Sequence, residues 1–301
     1  MNQISFIAVD WGRSSFHAWA IGANGEVVDS CTGPEGLKTI ENKGFDAVIR
    51  AHCGDWLAAD PATPLLMHGM IGARTGWHEA PYAPCPVRFD DLAANAHQFT
   101  VDTHPVVILP GACMKEAGGG DVMRGEEAPV LGAALLTGLE ATTICIPGTH
   151  CKWAELSDGA LSSFRTFVSG ELYQLLLQHS LVGALAQGDD YDDAAFRRGL
   201  DRGAALPLSH AVFAGRAGVL TEGITAKEVA SLLSGILIGA ECAAQDGDRP
   251  VLLLASGPMA ERYAIALAHF KRKVTHVDAK QATLVGLIHV ARNLWPKRMA
   301  A

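Results

Sequence analysis

The chain has 301 residues, a formal net charge of −8, 49% hydrophobic residues and 19% charged residues. That length sets a prior of about two domains, each with its own core, and so apolar a chain is globular and not disordered. The acidic balance and the lack of a Lys/Arg stripe argue against nucleic acid and anionic membrane surfaces as partners. The N-terminus carries no basic segment followed by an apolar core. The greasiest stretch, Leu232 to Cys242, is too short and too glycine-interrupted to span a bilayer. Seven scattered cysteines (Cys31, Cys53, Cys85, Cys113, Cys145, Cys151, Cys242) make an odd total without a CxxC pair. They read as free thiols in a reducing cytoplasm, and no His/Cys spacing suits zinc.

In chain order, Ile4 to Val9 reads as a buried strand running into Asp10-Trp11-Gly12-Arg13-Ser14-Ser15. Phe16 to Ile21 returns as a second strand, and a third begins at Glu26 after the turn Gly22-Ala23-Asn24-Gly25. A helix is expected over Phe45 to Ala58, with Phe45, Val48, Ile49, Cys53 and Trp56 on one side. Pro64 to Met67 is a short strand that ends in the glycine-rich segment His68 to Trp77, and Pro81, Pro84 and Pro86 extend the following loop. A helix around Phe89 to Gln98 and a strand at Val106 to Leu109 come next. Lys115 to Gly120 reads as a hinge, and Asp121 to Glu127 leads into a helix reaching about Leu136.

The opening plan then recurs. Thr142 to Ile146 runs into Pro147-Gly148-Thr149-His150-Cys151-Lys152, Trp153 to Leu156 follows, and after Ser157-Asp158-Gly159 a third strand spans Leu161 to Phe167. Ser169-Gly170-Glu171 opens a leucine-bearing helix, and Gln187 to Gly223 reads as a mainly helical insert. The tail alternates helix (Ala226 to Ala244), strand (Val251 to Ala255), helix (Pro258 to Phe270), strand (Val274 to Val277) and helix (Gln281 to Leu294). Such alternation indicates α/β layering with parallel strands.

Each copy of the repeat is strand, Gly-plus-hydroxyl turn, strand, Asx-Gly turn, strand. Glycine lets a phosphate approach backbone N–H donors, neighbouring hydroxyls add hydrogen bonds, and a carboxylate just before the glycine can hold Mg²⁺. Asp10, Gly12, Ser14 and Ser15 supply all three elements, and Gly148 with Thr149 repeats the glycine and hydroxyl. Two such hairpins facing each other would grip a polyphosphate, which points to an ATP-using enzyme. There is no GxxxxGK[ST] string and no GxGxxG after a strand, so neither a P-loop nor a dinucleotide-binding Rossmann domain is supported.

Doubled hairpin turns and a late strand-Gly segment resemble the sugar-kinase, Hsp70 and actin superfamily. Val9-Asp10-Trp11-Gly12, Gly69-Met70-Ile71-Gly72, Gly76-Trp77, Ala80-Pro81-Tyr82, Val122 to Glu127, Pro147 to Trp153, Ser169 to Leu172 and Leu233 to Glu241 more closely resemble the bacterial 2-dehydro-3-deoxygalactonokinase family, in order and over nearly the whole chain. Arg13 departs from the superfamily, which usually has a small or hydroxyl residue there.

The resemblance implies an α/β fold of two RNase H-like (actin-like ATPase) domains with a cleft between them. Residues 1–120 would form the N-terminal domain with a substrate loop, and residues 121–301 the C-terminal domain with the helical insert. It implies that ATP and Mg²⁺ phosphorylate the terminal hydroxyl of a 2-keto-3-deoxy sugar acid, a transfer that needs metal, phosphate donors and a base. Asp10 would be the metal-associated carboxylate. Glu126 is favoured as base over Glu127, and the pair also suits a helix N-terminus on dipole grounds alone. Gly12, Ser14, Ser15, Gly148, Thr149 and Lys152 would meet phosphates, and Gly257 the adenosine. Arg74, Trp77, Glu79 and Tyr82 share one Gly/Pro-rich loop fit for a sugar acid, Arg74 through a bidentate carboxylate pair. Arg124 is its rival for that carboxylate, and His150 a further substrate or phosphate contact. Another sugar, a non-catalytic or assembly ATPase, and a homodimer stay open.

Overall fold

The structure is a computed structural model that describes residues 3–40, 44–115, 119–188, 190–245, 247 and 249–300. Its strands are β1 (Ile4–Trp11), β2 (Phe16–Gly22), β3 (Val27–Gly33), β4 (Leu65–Gly69), β5 (Tyr82–Pro84), β6 (His97–Val101) and β7 (His104–Ile108). They continue with β8 (Gly111–Met114), β9 (Asp121–Met123), β10 (Thr142–Ile146), β11 (Cys151–Ser157), β12 (Ala160–Phe167), β13 (Val251–Leu254) and β14 (Val274–Val277). The helices are α1 (Phe45–Ala59), α2 (Phe89–Ala94), α3 (Glu127–Thr137), α4 (Ser169–His179), α5 (Asp193–Ala205), α6 (Leu208–Thr221), α7 (Val229–Ala243), α8 (Gly257–His269) and α9 (Ala279–Leu294).

The larger sheet of the N-terminal half has the order β3-β2-β1-β4-β7-β6. β1 is antiparallel to β2 and parallel to β4, which is parallel to β7. A second sheet has the order β12-β11-β10-β13-β14, with β13 parallel to β10 and β14 parallel to β13. Counted along the chain, both follow one plan: three consecutive strands at one edge, then two parallel strands added beside the first. That repeated plan is the RNase H-like one, so the fold is the expected α/β actin-like class.

Contacts divide the chain into two compact units: Met1–Ala141 with Ala154–Phe164 and Asp278–Ala301, and Thr142–Trp153 with Arg165–Val277. The division does not fall at residues 120 and 121, because the helix α9 belongs with α3. The two helices meet backbone to backbone. A Cβ on Gly132 of α3 would lie 1.9 Å from the Ala282 carbonyl oxygen, and one on Gly286 of α9 would lie 2.2 Å from that of Ala128. The second unit uses the same device between α5 and α7, where a Cβ on Gly235 would meet the Phe196 carbonyl oxygen at 2.0 Å. The hinge expected over 115–120 falls partly on residues 116–118, outside the described residues.

β1 is buried on both faces, so its apolar run is nearly continuous. Side chains alternate across a strand. Ile7, Val9 and Trp11 join Phe45, Ile49 and Cys53 of α1 in one core, and the Trp11 ring stands edge-on to Phe16 at 4.8 Å and Phe45 at 5.5 Å. Phe6 lies 5.9 Å from the Trp295 ring, just past α9. Asp10 shares the parity of Phe6, which directs it away from the α1 core. It lies inside β1, paired with His17 on β2 and His68 on β4, and the expected turn shrinks to the residues after Trp11.

The helix expected over Phe89 to Gln98 ends at Ala94. Beyond it, His97-Gln98-Phe99-Thr100-Val101 alternates as β6 against β7, where aromatic and β-branched residues suit a pleated surface. The sheet β5-β8-β9 was not legible, since strands of three or four residues leave no period to read. Among the described residues, no helix is long and apolar enough to cross a membrane. Replacing Gly286 by Val should separate α3 from α9 and cost about 1–3 kcal/mol, measured as a lowered urea midpoint against wild type.

Candidate active site

In the first unit, Asp10 lies one residue before the end of β1, beside His68 of β4, whose Nε2 lies 3.2 Å from Asp10 Oδ1. The Asp10 side chain is 41% exposed and that of His68 only 3%. Burial works against the Asp10 charge, but His68, His17 and Lys280 outweigh it and hold the carboxyl below its ordinary range. Burial also works against a charged His68, and Asp10, Glu127 and Glu126 overcome it, so this imidazole titrates above its ordinary value. An ionised carboxylate thus stands near the strand end with His68, whose value is raised, as its ion-pair partner.

The chain reaches the start of α3 through a glycine pair. Gly69 has φ 90° and Gly125 has φ 106°, both in the left-handed region that favours glycine. A Cβ on Gly125 would lie 3.1 Å from Gly69 Cα, and one on Gly69 would lie 2.7 Å from the Trp11 carbonyl oxygen. The ends of β1 and β4 and the approach to α3 therefore touch through backbone. Glu126 caps α3 and is half-buried, with its Oε2 accepting from Arg124 N at 3.0 Å. Glu127 is 3% exposed, and its two oxygens accept from Ala112 N at 3.1 Å and Gly125 N at 2.8 Å. Burial pushes its carboxyl up despite those bonds. Glu127 is a brace for β8 and the Gly125 turn, whereas Glu126 is half-buried and accepts from the Arg124 amide.

Gly12 is half-buried and Ser14 and Ser15 are exposed on the turn after β1. The turn closes by Gly12 N donating to the Ser15 carbonyl at 2.9 Å, and Leu37 N donates to the Gly12 carbonyl at 3.1 Å. The expected substrate loop splits in two. Arg74 is 87% exposed and its nearest anion is Glu79 at 3.6 Å, itself 53% exposed. Trp77 turns inward, 5.2 Å from Phe99 and 6.1 Å from Phe45, and packs the loop onto the core. Tyr82 on β5 lies under the Arg124 guanidinium at 4.2 Å, and Arg124 Nη2 donates to the Ala80 carbonyl at 2.8 Å. Arg124 Nε and Nη1 are buried with no hydrogen-bond partner.

In the second unit, Gly148 and Thr149 form an exposed turn after β10. Glu171 N donates to the Thr149 carbonyl at 2.9 Å, and a Cβ on Gly170 would lie 2.4 Å from the Gly148 carbonyl oxygen. His150 Nε2 is 2.5 Å from Glu171 Oε2. Lys152 is only 4% exposed, because it sits within β11 and not on the turn, so it does not stand out as a phosphate handle. Gly257 is exposed at the first residue of α8. Beside the turn is a cavity of about 330 Å³ walled by α4, α7 and α8, with Gly148, Thr149, Gly170, Ser234 and Tyr263 in its lining.

Comparison with known proteins bears on this arrangement. A family model described as 2-keto-3-deoxy-galactonokinase matches residues 10–290. The chain belongs to that family. A Rhizobium meliloti (strain 1021) protein named "Probable 2-dehydro-3-deoxygalactonokinase DgoK1" is 36% identical, over 97% of this chain and 98% of that one. The Escherichia coli (strain K12) 2-dehydro-3-deoxygalactonokinase is 32% identical, over 95% and 97%. A crystal structure from Sinorhizobium meliloti, described as a protein of the same designation, superposes with TM-score 0.87 at 35% identity, covering 97% of this chain and 99% of that chain.

For this galactonokinase-family chain, sequence reasoning passed over His68 and Glu241. His68 carried a signal, being a polar residue ending the apolar string Leu65-Leu66-Met67 in register with Asp10. The raised value of His68 makes its contribution to stability present below the ordinary imidazole value of about 6.5. It is lost as pH rises through the raised folded value. Over the range where Asp10 stays ionised, urea melts should therefore give wild type its largest advantage over His68→Gln at the acidic end. An advantage that grew with pH would contradict the Asp10–His68 pairing.

Proposed function

We propose that this chain transfers the γ-phosphate of ATP to the terminal hydroxyl of 2-dehydro-3-deoxygalactonate, in galactonate breakdown, with Glu126 as the base. The observation that carries the residue assignment is the Gly69–Gly125 contact, which ties the approach to Glu126 to the strand ends bearing Asp10 and His68. One carboxylate there, Asp10, is kept charged by His68, His17 and Lys280, and a second, Glu126, is half-buried and accepts from Arg124 N. Two carboxylates in different environments suit two different tasks.

Asp10 fits Mg²⁺: it is a hard oxygen donor, partly exposed, and held ionised by its neighbours. The ion, when bound with ATP, supplies charge neutralisation for the phosphates. Gly12, Ser14 and Ser15 flank Asp10 as phosphate donors in the first unit, and Gly148 and Thr149 do the same in the second. Glu126 accepts the proton of the sugar hydroxyl as it attacks. Glu127 is a weaker choice because both its oxygens are spent on backbone amides.

Between the two arginines, the sugar-acid carboxylate goes to Arg124. Its planar group rests on Tyr82 and keeps two nitrogens unbonded, whereas Arg74 is almost fully in solvent. Tyr82, 40% exposed, offers a face to the sugar. The cavity beside Gly148 takes the nucleoside, with Gly257 at the head of α8. A coupled assay should find ADP release only when 2-dehydro-3-deoxygalactonate is added. Glu126→Gln should lower turnover by about 10²–10⁴-fold while leaving ATP binding intact. ADP release without any sugar acid would overturn the kinase reading, and full activity in the variant would remove Glu126 as base.

A further inference from the structure

Glu241 on α7 is 1% exposed, and its side-chain partners named here, Trp153, Ser169, Tyr263 and Cys151, belong to the second unit. Its Oε1 accepts from Trp153 Nε1 of β11 at 2.7 Å. Its Oε2 accepts from Ser169 Oγ at the start of α4, at 2.5 Å, and from Tyr263 OH of α8, at 3.1 Å. The Cys151 thiol is a further partner. Burying a carboxylate is costly unless its oxygens are satisfied, and here both are. Cys145, Cys151 and Glu241 bring metal-capable atoms within 4.8 Å of one another. The carboxylate oxygens are already engaged and burial pushes both thiols up, so the cluster closes as a hydrogen-bonded network.

What the network joins is informative. α4, α7 and α8 wall the cavity, and β11 follows directly from the Gly148–Thr149 turn. Ser169 and Tyr263 reach the cavity and Glu241 alike. The start of α4 is in turn locked to the turn, through Gly170 against Gly148 and the bond from Glu171 N to the Thr149 carbonyl. A change at Glu241 therefore passes through Ser169 to the backbone that meets phosphate.

We propose that Glu241 is a positioning residue for nucleotide binding, fixing the start of α4 and through it the Gly148–Thr149 turn; this rests on reading that turn and its cavity as the nucleotide site. The test is ADP titration by calorimetry on the full chain, with KM for ATP and for the sugar acid measured separately. Glu241→Gln and Ser169→Ala should each weaken ADP and raise KM for ATP by about tenfold, the scale of one lost hydrogen bond to a charged group. KM for the sugar acid should stay within about twofold, and Ser169→Thr, which keeps the hydroxyl, should restore ADP affinity. If Glu241→Gln does not fold, the Ser169 pair carries the test. Gln174→Trp, an exposed residue at the cavity, supplies the control. If it weakens ADP while Ser169→Ala binds ADP like wild type, the role of Glu241 is refuted. If Gln174→Trp leaves ADP binding unchanged, the cavity is not the nucleotide site, and the proposal falls with that reading.

Discussion

One backbone contact holds the first site together: Gly125 against Gly69, with Gly69 against the Trp11 carbonyl. A Cβ at either position would crowd backbone atoms, and both glycines adopt φ values that other residues enter only under strain. From this contact follow the position of Arg124, the amide that Gly125 donates to Glu127, and the cap at Glu126. The strand ends supply Asp10 and His68 from the other side. Ligand sites at the carboxyl ends of parallel strands are a general outcome of α/β architecture, and the glycine pair is how this chain brings a helix start to one.

Electrostatics then separates three acidic groups that composition would treat alike. Asp10 is held charged by His68, His17 and Lys280. Glu127 is pushed toward protonation by burial and braces two amides. Glu126 differs from both in being half-buried, with one oxygen on the Arg124 amide. The ion pair of His68 with Asp10 does its work only because His68 is enclosed. In water the same ions would be screened to little effect.

Much of the fold was legible because its signals are periodic. The apolar run of β1, the spacing of Phe45, Ile49 and Cys53, and the repeated hairpin all follow from alternation and helical spacing. The chain's strongest regularity, one strand plan used twice, pointed to an ATP-using enzyme, and the family resemblance supplied the fold class. Short elements escaped, as with β5, β8 and β9, and the helix at Phe89 was drawn too long because the alternation from His97 to Val101 was missed. Residues that act through burial were the least visible. Lys152 looked like a phosphate handle beside Gly148, yet it sits inside β11. Trp77 looked like a sugar platform, yet it packs against Phe99. Glu241 appeared only as the end of a family-like string and with no role, since only the fold assembles Trp153, Ser169 and Tyr263 around it.

The most direct test of this account is to place one methyl group at the glycine contact and measure kcat and ADP affinity together. Gly125→Ala puts a Cβ 3.1 Å from Gly69 Cα at a φ that alanine resists. If that contact positions Glu126, the folded variant should lose kcat by about a hundredfold, the cost of a displacement near 1 Å. Its affinity for ADP should remain that of wild type. A folded Gly125→Ala enzyme with undiminished kcat would contradict the account.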